Sequence, residues 1–198
     1  EACEDLQDAF DSEDKANKGV EDFTKKVQDL LSSDTLEEQA KAIDVKELSL
    51  LHKQIGMVKN FTSDRQYQVP VYLNGEFTTI HLTLVKDDSN ISSVNASMET
   101  EKFGTIGSKF TENNQFVEGY LVCENGFDTQ TKEAFTKSFF TSLNQENMQV
   151  GRLSFVQSKD VNAQKFNDVE GSEQVSKTDT KTLYAVAKAF IKAVQEAM

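Results

Sequence analysis

The spacing of apolar residues changes at Tyr67 from the period of a helix to the period of a strand. Before Tyr67 apolar residues recur every three or four positions, and after it they alternate with polar residues as far as the pair Asn74-Gly75. Asn-Gly tolerates the positive φ angles of a type I′ turn, and a second alternating run follows at 79–84. The sequence therefore predicts a β-hairpin. Pro70 cannot donate to a strand ladder, which favours an edge position for the first strand.

The same alternation predicts three more strands in the middle of the chain. The runs cover 94–101, 106–110 and 116–123, and Asn113-Asn114 offers a hairpin loop between the last two. The gaps between these runs are short. Since strands joined by short loops usually pair with their sequence neighbours, we expect a meander.

One helix is predicted between the fifth strand and a final strand. Asp128 is suited to cap its first turn, and the helical pattern ends near Asn147. Its apolar stripe consists of Ala134, Phe135, Ser138, Phe139 and Leu143. Alternation returns at 153–157. The order is therefore β-β-β-β-β-α-β, which defines an α+β fold with a mixed or antiparallel sheet.

Helical patterns flank this core at both ends. Apolar residues fall on one helical face within 18–32, and 44–59 predicts a second helix. The 3-4-3 spacing of the second helix leaves a coiled-coil seam open as an alternative to packing on the sheet. Residues 158–177 are polar and aperiodic and predict a linker. A closing helix follows at 179–197, and its wide apolar face must dock on the sheet or on another chain.

The domain organisation follows from these patterns. We expect an N-terminal helical segment at 1–62, an α+β core at 63–158, and a linker with the closing helix at 159–198. A length of 198 residues suits one domain with helical additions. Because the chain begins at Glu1 without Met or a signal-peptide pattern, it is expected to be an excised segment or a processed product.

The charge balance excludes some partner classes. The chain has 33 acidic residues against 21 Lys and Arg, a net charge of −12. This excess opposes binding to nucleic acid or to anionic lipid. No apolar run approaches the roughly 18 to 20 residues that a membrane helix needs. We therefore expect neither nucleic-acid binding nor membrane insertion.

The residues that could support catalysis or metal binding lack the partners that such chemistry requires. His52 and His81 have no Cys, Asp or Glu at ligand spacing. Glu99 and Glu101 share one face of a strand and are expected to be solvated. No sequence argument places a base beside Cys123. We therefore predict no enzyme activity, no metal and no cofactor.

A short motif and the elements after it are similar to a known bacterial family. Phe103 precedes Gly104 at the end of a strand, and two strands, a helix and a closing strand at 151–156 follow. In this order and spacing, residues 98–156 resemble the C-terminal domain of the flagellar hook-length control protein family, whose motif is of Leu-x-Pro-x-x-Leu-Gly type. The upstream hairpin at 67–85 resembles strands found before this core in relatives.

The resemblance implies a non-enzymatic bacterial protein that binds another protein. Members of the family are cytoplasmic and then exported through the flagellar apparatus, and they contact the export gate through this domain to stop hook growth. The implied role is regulation of substrate switching in flagellar type III export. An exposed sheet edge or the helix carrying Phe135, Phe139 and Leu143 is the expected contact surface. The alternative is a secreted or cell-surface binding module of unknown ligand that shares only the fold.

Overall fold

The computed structural model describes residues 9–32, 66–86, 92–167 and 181–198, which hold one sheet and four helices. The strands are β1 (Gln66–Leu73), β2 (Glu76–Lys86), β3 (Ser92–Thr100), β4 (Gly104–Asn113), β5 (Phe116–Cys123) and β6 (Gln149–Gln157). The helices are α1 (Glu13–Ser32), α2 (Thr129–Gln145), α3 (Gln164–Asn167) and α4 (Lys181–Ala197). The predicted helix at 44–59 lies outside the described residues. None of the described helices is long and apolar enough to cross a membrane.

The six strands lie side by side in sequence order, and β1 forms one edge. Strands β1 to β5 are an antiparallel meander, whereas β6 returns through α2 and pairs parallel with β5. The sheet is therefore mixed, and the predicted α+β class, the predicted order of elements and the edge position of β1 are confirmed.

Two hairpin turns have the backbone angles of a type I′ turn. Asn74 and Gly75 have φ angles of 51° and 95°, as their sequence predicts. Asn114 and Gln115 have φ angles of 51° and 67° and join β4 to β5. The second turn therefore lies one residue later than the predicted Asn113-Asn114 loop, because Asn113 pairs with Phe116 and still belongs to the ladder.

Helices α2 and α4 cover one face of the sheet and form the core with it. The Phe110 ring of β4 lies 4.8 Å from that of Phe139 and 5.5 Å from that of Phe190, centroid to centroid. At the β1 edge, the hydroxyl groups of Tyr67 and Tyr184 share a hydrogen bond of 2.6 Å. The closing helix therefore docks on its own sheet, which was the first of its two predicted options.

The short helix α3 lies on the opposite face of the sheet, within the region predicted to be a linker. The Phe166 ring sits directly above Gly107, so closely that a Cβ atom at this glycine would collide with it. The ring also makes an edge contact with Tyr120 at 6.4 Å. The single aromatic residue of a polar, aperiodic stretch thus attaches 164–167 to the sheet, while 168–177 lies outside the described residues.

A serine hydroxyl is buried in the core without a hydrogen-bond partner among the described residues. Ser108 is fully buried on β4, and its cross-strand neighbours are Ala96 and Leu121. An unsatisfied buried hydroxyl costs stability, so Ser108→Ala should raise the free energy of unfolding by about 1 kcal/mol in urea titrations. Ser93→Ala, on the opposite face of β3, should change it by no more than about 0.5 kcal/mol. A clear loss of stability in Ser108→Ala would contradict this assignment.

Asp128 caps the first turn of α2, as the sequence predicts. Its interactions there predict that the stability of the fold depends on pH. Asp128 accepts a hydrogen bond from the Thr131 N–H at 2.7 Å and forms an ion pair with Lys102 Nζ at 2.8 Å. Lys102 first, and then Thr131, hold the pKa of Asp128 well below its usual 3.8. The stabilisation is therefore complete above pH 3.8 and is lost as the pH falls through the lower pKa of the folded state.

Asp128→Asn should accordingly be less stable than the wild type near neutral pH, because the amide keeps an acceptor for Thr131 but loses the charge. The difference should shrink as the pH is lowered below 3.8. Urea titrations of both proteins over a pH series measure it. A difference that stays constant or widens in acid would count against the ion pair.

Candidate protein-contact surface

The three helix residues predicted to contact a partner are buried in this fold. Phe135, Phe139 and Leu143 are all 0 % exposed. Phe135 stacks on Phe139 at 5.6 Å and meets Phe190 of α4 at 6.0 Å. The stripe therefore faces the protein's own sheet and closing helix. In this conformation it builds the core and offers no surface to a partner, which corrects the expectation that it would.

The other predicted contact element, an exposed sheet edge, is present at β6. Ser158, the residue after β6, donates its backbone N–H to the Cys123 carbonyl of β5 at 3.0 Å. In a parallel ladder, alternate residues direct their N–H and C=O groups to the neighbouring strand, and the residues between them direct theirs away. By this alternation Leu153, Phe155 and Gln157 present their backbone groups away from β5. Within the described part of the chain, no strand pairs with that side.

An exposed apolar patch adjoins this edge on the face opposite the core. Val156 of β6 is 46 % exposed and Tyr120 of β5 is 39 % exposed. Tyr120 pairs with Ser154 across the ladder and therefore lies on the same face as Val156, and its ring contacts Phe166 of α3. Phe116, 44 % exposed, covers Gly151 near the start of β6. We call Tyr120, Val156 and the outward backbone of β6 the β6 edge surface.

The opposite edge of the sheet is protected differently. In β1, Pro70 is buried and has no N–H to offer a further strand. Its neighbour Tyr72 is 54 % exposed. The two edge strands thus each carry an exposed apolar side chain, but only β1 carries a proline. Strand β6 has neither a proline nor a lysine, and Arg152 is its one charged residue.

The polar residues considered for chemistry are scattered. His81 lies on β2 and is partly buried, and burial lowers its pKa although Glu99 opposes the shift. Cys123 is buried, and its burial raises the pKa of the thiol. Glu101 is exposed in the turn after β3. The described residues contain no group of three side chains that could hold a metal ion. His52 lies outside the described residues.

The sequence of β5 contains one signal for the β6 edge surface, although alternation by itself does not reveal that surface. Its apolar residues occur at both alternating positions: Val117 and Leu121 face the core, and Tyr120 and Val122 lie on the other face. A strand that is apolar on both faces suggests that something covers the second face. The sequence does not show which strand lies beside β5 or whether that strand is at the edge of the sheet. Both follow from the crossover through α2, which places β6 parallel to β5.

Comparison of the chain with protein-family models, with curated proteins and with solved structures finds no match.

Proposed function

We propose that the chain is a non-enzymatic protein-binding domain that accepts an extended segment of its partner along the β6 edge surface. The observation that supports this proposal is the row of outward N–H and C=O groups at Leu153, Phe155 and Gln157. In strand addition, such groups provide affinity through main-chain hydrogen bonds, and neighbouring side chains provide specificity. Val156, on β6 itself, is placed to contact side chains of the added strand, and Tyr120 lies one strand further from the edge.

The composition of β6 also supports the proposal. Proteins commonly guard exposed edges with prolines, lysines, bulges or very short strands. Strand β6 has nine residues, no proline and no lysine. Its one irregularity, a register shift against Val117 and Gly119, lies before Leu153, so that the last five residues pair with β5 in regular order. The unguarded stretch is therefore the last five residues, 153–157, and a regular stretch of this length suits a surface that has to pair.

For the partner class, we propose a component of the flagellar export gate, with regulation of substrate switching in type III export as the role. The support is the resemblance of residues 98–156 to the hook-length control family. The element order β3-β4-β5-α2-β6 agrees with the order that this resemblance implies. The protein would then be bacterial, and cytoplasmic before its own export.

The alternative function is a secreted or cell-surface binding module with the same fold. One observation favours it: the resemblance ends at residue 156, whereas α4 lies beyond it and is an integral part of the core of this fold. Nine of its residues are buried, among them Leu183, Phe190 and Val194. Both candidates use the β6 edge surface and differ in the partner.

The experiment is a pull-down of purified export-gate components from the host with three versions of the protein. Wild type should retain a gate component. Val156→Lys, which places a charge in the patch, should weaken retention at least about tenfold. Tyr72→Lys is the matched control, because Tyr72 is similarly exposed on the opposite edge strand, and it should bind like wild type.

Circular dichroism and thermal unfolding must show that all three versions are folded. If both variants lost binding, or if neither did, the assignment of the binding site to β6 would be refuted. If folded wild type retains no gate component, the export-gate proposal fails and the surface-module alternative takes its place.

A further inference from the structure

The side chains of β6 indicate which sequence an added strand should have, an inference that rests on the proposed function. Leu153 and Phe155 are partly buried and pack against the core, so their side chains lie on the covered face of the sheet. Because side chains alternate between faces, Arg152, Ser154 and Val156 lie on the opposite face. Strand β6 therefore presents apolar side chains on one face, and one cation and one apolar side chain on the other.

Arg152 is available to a partner's carboxylate. Its side chain is exposed and forms no ion pair or hydrogen bond within the described part of the chain. Glu118 of β5 lies nearby, beside Gly151, but is not paired with it. Arginine holds a carboxylate through two parallel hydrogen bonds, which makes it better suited than lysine to recognise one acidic residue.

The acidic excess of the whole chain does not decide this contact. The net charge is −12, which repels an acidic partner at long range. At physiological salt, however, charges separated by more than about 8 Å are largely screened. A carboxylate in direct contact with Arg152 is much closer than that, so the local cation determines the preference.

The spacing along β6 defines the spacing in the partner. Arg152 and Val156 are four positions apart on the same face. Residues directly opposite each other in a ladder share a face, and an added strand has the same period of two. The partner residues opposite Arg152 and Val156 are therefore also four positions apart. The partner residues opposite Leu153 and Phe155 lie on the other face, beside apolar side chains.

We propose that the β6 edge surface selects an antiparallel segment in which an acidic residue follows an apolar residue by four positions. The acidic residue pairs with Arg152, and the apolar residue contacts Val156. Apolar residues opposite Leu153 and Phe155 extend the covered face of the sheet. Antiparallel pairing is slightly more stable per residue than parallel pairing, and it places the acidic residue at the C-terminal end of the segment.

The test is an NMR titration of the full chain, at physiological salt, with the capped peptide Thr-Val-Val-Thr-Val-Asp-Thr. The backbone amide signals of Leu153 and Phe155 report binding, because their outward N–H groups gain hydrogen bonds. Two further peptides have Asn or Lys in place of Asp. The Asp peptide should bind about two- to fivefold more tightly than the Asn peptide, as expected for one exposed charge pair. The Lys peptide should bind more weakly than the Asn peptide.

A charge reversal separates this contact from general electrostatics. Arg152→Glu should reverse the order, so that the Lys peptide binds more tightly than the Asp peptide. The matched control is Lys137→Glu, which makes the same change of charge at an exposed position of α2. It should keep the order of the wild type.

Three outcomes would overturn the proposal: equal binding of the three peptides to wild type, an unchanged order in Arg152→Glu, or the same reversal in Lys137→Glu. Each of these leaves strand addition itself intact, provided that the signals of Leu153 and Phe155 still move. If no peptide moves these signals, strand addition at β6 fails, and the proposed function fails with it.

Discussion

Replacing Phe139 with alanine is expected to lower the free energy of unfolding by about 3–5 kcal/mol. The ring is fully buried between Phe110 of the sheet and Phe135 of the same helix. Its removal loses the transfer free energy of a phenyl group and leaves a cavity that the surrounding strands fill only in part. Urea titration followed by circular dichroism measures the loss.

The matched control for this substitution is Tyr72→Ala, which removes an aromatic ring that is 54 % exposed on β1. It should cost no more than about 1 kcal/mol, the span of strand propensities. If Phe139→Ala were as mild as the control, the α2 stripe would not be core. The helix would then return as the contact surface that the sequence first suggested.

The substitution Gly119→Ala is expected to be the second most damaging change, at about 3 kcal/mol or more. A Cβ atom at this position in β5 would lie 2.6 Å from the Lys109 backbone oxygen and 2.5 Å from the Phe110 ring. Because the backbone oxygen belongs to the β4 ladder, it cannot move aside without disturbing the pairing of β4 with β5.

Gly75→Ala provides the comparison for Gly119→Ala. Gly75 has a φ of +95°, and a Cβ atom at this position would meet no other atom within 4 Å. The substitution to alanine should therefore lower the free energy of unfolding through backbone strain alone, by about 1–2 kcal/mol. Thermal and urea unfolding of both variants separate the two contributions. A Gly119→Ala variant no less stable than Gly75→Ala would show that β4 and β5 are less tightly packed than these distances indicate.

The order of the strands was predictable because each strand of the meander alternates and each turn is short. Their ends were less predictable. Strand β2 extends from Glu76 to Lys86, beyond the predicted 79–84, because ladder pairing with β1 and β3 continues past the alternating residues. Strand β6 starts at Gln149, four residues before the alternation begins, since pairing with β5 does not depend on side-chain polarity.

The proposed contact surface was harder to predict than the fold. Periodicity shows that Phe135, Phe139 and Leu143 share one helical face, but it does not show what that face meets. The answer depends on Phe190 of α4, about fifty residues further along the chain, which meets Phe135 in the core. The exposure of Val156 likewise follows from the position of β6 at the edge of the sheet, which is a property of the topology.

Amide hydrogen exchange of the free protein, read residue by residue by NMR, tests the open edge of β6 most directly. We expect fast exchange at Leu153 and Phe155, whose N–H groups point away from β5, and slow exchange at Val156 and Phe139, whose N–H groups are bonded within the sheet and the helix. Protection of Leu153 and Phe155 equal to that of Val156 would contradict the open edge, because β6 would then already be paired and would have no free backbone groups to offer.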